Sequence, residues 1–261
     1  MSLKNYWNIE LQKGQRLWFM SDPHYGQKNI VKGVTDWSSS RKVRDFDTIE
    51  EMNKTIVNNI NSLVRADDIL ICLGDWSFGG FENIPKFRNE LLCKNIYLIL
   101  GNHDDHIDNN KNGYRSLFVD VAHYKILKVK TYVPHEILKA NQITQMFVLQ
   151  HYPIASWRDM KDGFIHLFGH LHCQPDRKIM KGKSMDVGMD GNNLKPYSFE
   201  EIMHIMRRRP IANNILNDDH HTKILRKKNL GSLQWFMDKW NMYLNRAEST
   251  FSFLGQYSHY R

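Results

Sequence analysis

Five apolar runs, each cut off by a polar group, constrain this chain more than any other feature. Leu17-Trp18-Phe19-Met20 stops at Ser21-Asp22, Ile69 to Leu73 at Gly74-Asp75, and Ile96 to Leu100 at Gly101-Asn102. Met146 to Leu149 leads to His151, and Ile165 to Phe168 leads to Gly169-His170. Hydrophobicity that is continuous rather than alternating marks strands covered on both faces. Between the first two runs, Ile49, Met52, Ile56, Ile60, Leu63 and Val64 recur at helical spacing, which predicts a helix over Asp47 to Val64. Asp47 with Glu50 reads as its capping box. A second helix is expected over Ile84 to Cys93. Strand, helix, strand, helix, strand is the order of an α/β domain. In such sheets ligands collect beyond the carboxyl ends of the strands, so the polar groups ending the five runs should converge.

The rest of the chain bounds the setting. Its 261 residues suffice for one large domain with an extension, and 41% hydrophobic with 25% charged residues is ordinary globular composition. No apolar stretch reaches the roughly 18 to 20 residues that span a bilayer, and MSLKNYWNIELQKGQ lacks the apolar core of a signal peptide. Cys72, Cys93 and Cys173 are too few and too scattered for a disulfide framework. A cytoplasmic protein is therefore expected. The texture changes after residue 200, giving a catalytic domain over 1–200 and a basic, aromatic-rich helical extension over 201–261. That extension holds ten Lys/Arg against five Asp/Glu, so it carries +5 of the net +8. Phe199 to Arg209 and Ser232 to Arg246 have helical spacing, and the second should dock its aromatic face on the protein. A basic surface of this kind also suits an anionic partner, nucleic acid included.

Short motifs fill the strand ends: Asp22-Pro23-His24, Gly74-Asp75, Gly101-Asn102-His103-Asp104, His151 and Gly169-His170-Leu171-His172. With 19 Asp and 13 His in the chain, D-x-H and G-D each occur about once by chance, so neither carries weight alone. GNHD and GHxH are far rarer, at roughly one in two hundred and one in thirty. Imidazole, carboxylate and an amide oxygen form the ligand set of borderline divalent ions such as manganese, iron, zinc or nickel. The absence of Cys ligands argues against structural zinc. Seven such groups exceed the needs of one ion. Two ions about 3.5 to 4 Å apart, sharing a carboxylate, would use them all and would clamp phosphate oxygens during in-line displacement.

Taken in order over residues 16 to 200, D-x-H, G-D, G-N-H-D, H and G-H-x-H resemble the motifs of the calcineurin-like metallophosphoesterases. The resemblance implies a two-sheet β-sandwich flanked by helices. It implies that Asp22, His24 and His172 hold one ion, that Asn102, His151 and His170 hold the other, and that Asp75 bridges them. His103 matches the histidine that contacts the phosphate and protonates the leaving oxygen. The stretches SDPHYGQKNI, GDWSFGG and GMDGNNLKPYSFEEI look like those of small stand-alone phosphoesterases of bacteria and phages. Gln27 departs from the histidine often found at that position. After Gly74-Asp75 the Ser/Thr protein phosphatases of the superfamily continue to Asp-Arg-Gly, whereas this chain has Trp76-Ser77-Phe78-Gly79-Gly80, which disfavours protein phosphatase activity. Arg41 and Arg44 are then the candidates for a phosphate-binding cation.

The expected function is hydrolysis of a nucleotide, cyclic nucleotide or other small phosphoester, monoester or diester. A metal-bridging hydroxide would attack in line, His103 would act as general acid, and manganese heads the candidate ions. The alternatives are a metal-dependent nuclease and a non-catalytic binding module on an inherited metal fold. Other polar residues receive structural readings. Asp104 supports the loop, Asp105 and His106 are bystanders, and His166 is a satisfied core histidine before it is an orienting one. His123, His135, His204 and His259 stand outside any motif. Asp218-Asp219-His220-His221 reads as a solvated loop, and Cys173 as a small buried residue rather than a ligand.

Overall fold

The computed structural model describes residues 5–33, 43–132, 142–173 and 177–212. Ten strands run in chain order: β1 (Tyr6–Glu10), β2 (Leu17–Met20), β3 (Ile69–Cys72), β4 (Asn95–Ile99), β5 (Val121–Ala122), β6 (Tyr124–Tyr132), β7 (Gln142–Gln150), β8 (Ile165–Phe168), β9 (Ser184–Asp186) and β10 (Tyr197–Ser198). They form two five-stranded sheets, ordered β10-β2-β3-β4-β5 and β1-β6-β7-β8-β9. Strands β2 to β5 are parallel and β10 joins them antiparallel. In the second sheet only the β6–β7 pair is antiparallel. Helices α1 (Ile49–Leu63), α2 (Asn83–Glu90) and α3 (Phe199–Arg207) flank the sandwich.

The unbroken apolar runs follow from this layering. Leu17 and Phe19 of β2, with Ile69 and Ile71 of β3, point between the sheets and meet Leu127, Val129, Phe147, Leu149, Ile165 and Leu167. Their neighbours Trp18, Met20, Leu70 and Cys72 point the other way, onto Met52, Ile56 and Ile60 of α1 and Phe87 of α2. Alternating strand residues thus enter two different cores, and neither face meets water. Strand β1 has one outward face, and its burial alternates accordingly.

The helices start and stop for local reasons, some of which differ from expectation. The cap of α1 is Thr48 rather than Asp47: its extended backbone aims the hydroxyl to accept from Glu51 N–H at 3.2 Å. Asp47 instead donates its backbone N–H to the Glu51 carboxylate at 3.3 Å. Helix α2 ends at Glu90, short of Cys93, because the Asn61 side chain donates to Glu90 C=O and accepts from Leu92 N–H. Helix α3 opens with a reciprocal capping box between Ser198 and Glu201 and buries Phe199, Ile202, Met203 and Met206. Its last turn is held by Lys183, whose ammonium donates to the carbonyls of Met206 and Arg209 at 2.5 and 2.9 Å. Ile202, Met203 and Met206 therefore pack into the core between the sheets, with the chain held there through Lys183. The helix expected over Ser232 to Arg246, the Asp218 to His221 cluster, Arg41, His135 and His259 lie outside the described residues. No helix among the described residues is long and apolar enough to cross a membrane.

Candidate metal centre

The carboxyl ends of β2, β3, β4, β7 and β8 open toward one place, and the residues that follow them approach closely. Ser21 Oγ donates to Leu73 C=O at 2.9 Å, and the N–H groups of Asp22 and His24 donate to the carbonyls of Gly74 and Asp75 at 3.0 and 3.1 Å. These bonds lace the turns after β2 and β3 together. Five of the expected ligands, Asp22, His24, Asp75, His170 and His172, adopt left-handed backbone with φ between 49° and 71°. Non-glycine residues pay on the order of 1 kcal/mol for that conformation, and it persists where the surrounding structure over-determines it. Two motif glycines make the approach feasible. A Cβ on Gly101 would strike the Asp75 carboxylate, and one on Gly169 would strike Ser21 Oγ.

Side-chain geometry divides the expected residues into two overlapping groups. Donor atoms of Asp22, His24 and His172 lie within 4.8 Å of one another, as do those of Asp22, Asp75 and His151. Asp75 Oδ2 sits 3.6 Å from His24 Nε2 and 3.6 Å from His151 Nε2, so it lies between the groups. Asn102 Oδ1 is 3.0 Å from both His151 Nε2 and His170 Nδ1. Two imidazoles are oriented through their far nitrogens: His151 Nδ1 donates to Leu73 C=O at 2.7 Å, and His172 Nδ1 to Asp190 Oδ2 at 2.5 Å. Each then turns Nε2 toward the cluster, the arrangement in which histidine serves as a metal ligand. His103 is anchored through its backbone, which donates to Asp75 Oδ1 at 3.0 Å, while its ring lies edge-on to Phe78 at 4.9 Å and 5.8 Å from the His24 ring.

The charge balance points to a cation. Asp22, Asp75, Asp104, Asp186 and Asp190 are all buried. Burial pushes the Asp22 carboxyl up to about 8, Asp186 to about 7 and Asp104 to about 6. Burial also lowers His24 and His170, which favours the neutral imidazole whose lone pair a metal can take. A divalent ion replaces the protons that such carboxyls would otherwise retain, so the donor set fits the two-ion centre of the resemblance.

Around the cluster lie Asp190 and Asp186, which the sequence alone did not single out, together with residues that it did. Asp190 is fully buried with Arg44: the guanidinium donates to Asp190 Oδ1 and Oδ2 at 2.6 and 3.0 Å. Although burial works to raise it, the Arg44 charge and the hydrogen bonds from His172 and Arg44 hold the Asp190 carboxyl well below the usual range. Arg44 also donates to the carbonyls of Asp22 and Pro23, at 2.7 and 3.1 Å. This corrects its reading as a phosphate-binding cation: every edge of the guanidinium is engaged inside the protein. Asp186 accepts from the N–H groups of Cys173 and Gly188 at 3.0 and 2.7 Å. Asp104 supports the loop as expected, accepting from Asp75 N–H, Trp76 N–H and Gly101 N–H at 2.9, 3.0 and 2.8 Å. His166 is a satisfied core residue: Nδ1 donates to Val148 C=O and Nε2 accepts from Ile154 N–H. Gln27 is half-buried, and its Oε1 has no hydrogen-bond partner among the described residues. Cys173 is buried and unpaired, as are Cys72 and Cys93.

Comparison with known proteins agrees with this geometry. An uncharacterised protein of Methanocaldococcus jannaschii is 28% identical over 77% of this chain and 97% of its own length. The Gene 66 protein of Mycobacterium phage L5 is 26% identical over 66% of this chain and 86% of its own. A protein of unknown function from Aquifex aeolicus shares the fold, with a TM-score of 0.51 and 19% identity over 74% of this chain and all of its own. The family model for calcineurin-like phosphoesterases matches residues 15–231. This protein belongs to the calcineurin-like phosphoesterases, and it is a metal-dependent phosphoester hydrolase.

Proposed function

We propose that the protein hydrolyses a small phosphoester, a nucleotide or cyclic nucleotide being the fitting class, with two divalent ions, manganese first. Asp22, His24 and His172 hold one ion, Asn102, His151 and His170 hold the other, and Asp75 bridges. The observation that carries this reading is the Asp75 carboxylate, equidistant at 3.6 Å from a nitrogen of each group. When bound, such a pair of ions neutralises phosphate oxygens and lowers the pKa of the attacking water.

The protein's own residues do the rest. Asp104 fixes the turns that carry Asp75 and Asn102, since it gathers N–H groups from both. Asp190 and Leu73 C=O set the ring orientations of His172 and His151. His103, exposed beside the cluster, gives its proton to the leaving oxygen, a role generally worth about 10² to 10⁴ in rate. Three unpaired buried thiols support a reducing, cytoplasmic setting. We retain residues 1–200 as the catalytic unit and 201–261 as an extension whose first turns fold onto it.

The test is hydrolysis of p-nitrophenyl phosphate and bis-p-nitrophenyl phosphate by the manganese-loaded protein, with His103→Ala and Asp75→Asn alongside. Activity in the wild type and its loss in both variants is expected. A wild type inert with every divalent ion would refute the reading and favour the binding-module alternative, and variants that keep its rate would refute the roles given to His103 and Asp75. Nucleic-acid cleavage is a second reading, favoured by the +5 charge of residues 201–261. It requires that Lys227→Gln with Lys228→Gln in the full chain slow cleavage of single-stranded DNA while sparing the small esters.

A further inference from the structure

The loop after β3 carries two phenylalanines that the ligand set does not use. Trp76 anchors this loop: its ring is fully buried and its Nε1 donates to Ile84 C=O at 3.2 Å. Gly79 and Gly80 follow with φ of +82° and +147°, and a Cβ on Gly79 would lie 2.7 Å from Gly26 C=O. This tight turn brings Phe78 and Phe81 into the wall of one 280 Å³ cavity with His103, His106, Ile84 and Ile107. Phe78 meets the His103 ring edge-on at 4.9 Å, and Phe81 meets the His106 ring edge-on at 4.2 Å. Phe81 is nevertheless 47% exposed.

An aromatic ring that touches His106 on one side and leaves nearly half its surface in water still offers area on which a planar group can stack. The cavity is close to the lower limit of small-molecule sites, about 300 Å³, so it has room for one ring system rather than for a polymer. Its wall includes His103. If that side chain protonates the leaving oxygen, as in the reading on which this inference rests, the cavity lies on the leaving-group side of the scissile bond.

We propose that this cavity receives the leaving group and that Phe81 stacks on a planar ring which that group carries. The substrate class is then an ester of a nucleoside or aryl alcohol, in preference to an alkyl or sugar phosphate. Phe78 forms the inner wall and holds the His103 ring at the mouth.

Binding of product-like probes tests this without turnover. Adenosine, p-nitrophenol and ribose are titrated calorimetrically into the manganese-loaded full chain, its Phe81→Ala variant and its Phe81→Trp variant. Adenosine or p-nitrophenol is expected to bind where ribose does not, and whichever binds tighter identifies the source of the ring. Phe81→Ala should weaken that binding by on the order of tenfold or more, and Phe81→Trp should preserve it. Ring compounds that bind no better than ribose, or an affinity indifferent to Phe81→Ala, would overturn the proposal. Parallel hydrolysis assays separate it from the reading it rests on: ring binding through Phe81 in a protein that cleaves no ester leaves the pocket standing and removes the hydrolase.

Discussion

Asp190 holds His172 by its Nδ1 at 2.5 Å while the same carboxylate receives two donors from Arg44. One fully buried group thus orients a candidate metal ligand and neutralises a buried guanidinium. Asp190→Asn removes the charge while keeping the shape. Manganese affinity should fall roughly 10- to 100-fold, as it does when outer partners of ligating histidines are removed. Stability should fall by about 3 to 5 kcal/mol, because Arg44 is left as an uncompensated buried charge. Calorimetric manganese titration and urea unfolding measure the two effects. Unchanged affinity in a variant that unfolds earlier would reduce Asp190 to a purely structural role.

Asp104 gives a second, sharper case. Its Oδ2 accepts from Asp75 N–H and Gly101 N–H while Oδ1 accepts from Trp76 N–H. An amide has one acceptor oxygen, so Asp104→Asn must set an NH₂ against at least one of these buried donors. The expected loss is about 1 to 3 kcal/mol, read from the midpoint of urea unfolding. An unmoved midpoint would mean that the loop after β4 is held by other contacts.

The motifs were legible because chemistry restricts their residue types and strand ends restrict their place. GNHD and GHxH combine ligand-forming side chains with glycines whose Cβ atoms would collide with Asp75 and Ser21. The Arg44 to Asp190 contact was not legible. It joins residues 146 positions apart, and an arginine before a helix with an aspartate in a Gly-rich turn has no local signature. Thr48 and Asp47 are both competent caps, and only the backbone angle at Thr48 decides between them. Continuous apolar runs revealed β2, β3 and β8, buried at every residue, and β4, where Asn95 and Tyr97 alone are half-buried. Strand β1, with one wet face, gave no such run.

Stability should depend on pH in a way that a metal suppresses. Asp22 and Asp186 have folded values raised by burial to about 8 and about 7, above the ordinary 3.8. The metal-free fold therefore binds more protons than the unfolded chain and loses stability as pH rises toward those values. His24 and the buried His166, lowered by burial, the latter to about 4, act in the opposite direction, but only up to the ordinary histidine value of 6.5. Between pH 6.5 and 8 the carboxyls stand alone, so the melting temperature in chelator should fall across that window. The gain from added manganese should grow over the same interval, since the ion displaces those protons. Thermal scans with chelator and with manganese at pH 6.5, 7.25 and 8 check this. A chelated melting temperature that climbs through the window would contradict it.

His103→Ala should separate chemistry from metal binding. The side chain is exposed, and its fixed contact to Asp75 runs through the backbone N–H, which alanine keeps. The rate constant kcat should drop by about 10² to 10⁴ with the manganese stoichiometry unchanged. A variant that loses manganese as well would make His103 a ligand rather than the proton donor.

Anomalous scattering from manganese-soaked crystals reads out a two-ion centre bridged by Asp75 without recourse to activity. Two anomalous peaks are expected about 3.5 to 4 Å apart, with the Asp75 carboxylate between them. Asp22, His24 and His172 should surround one peak, and Asn102, His151 and His170 the other. A single peak at full occupancy, or a pair of peaks that leaves Asp75 outside, would contradict it.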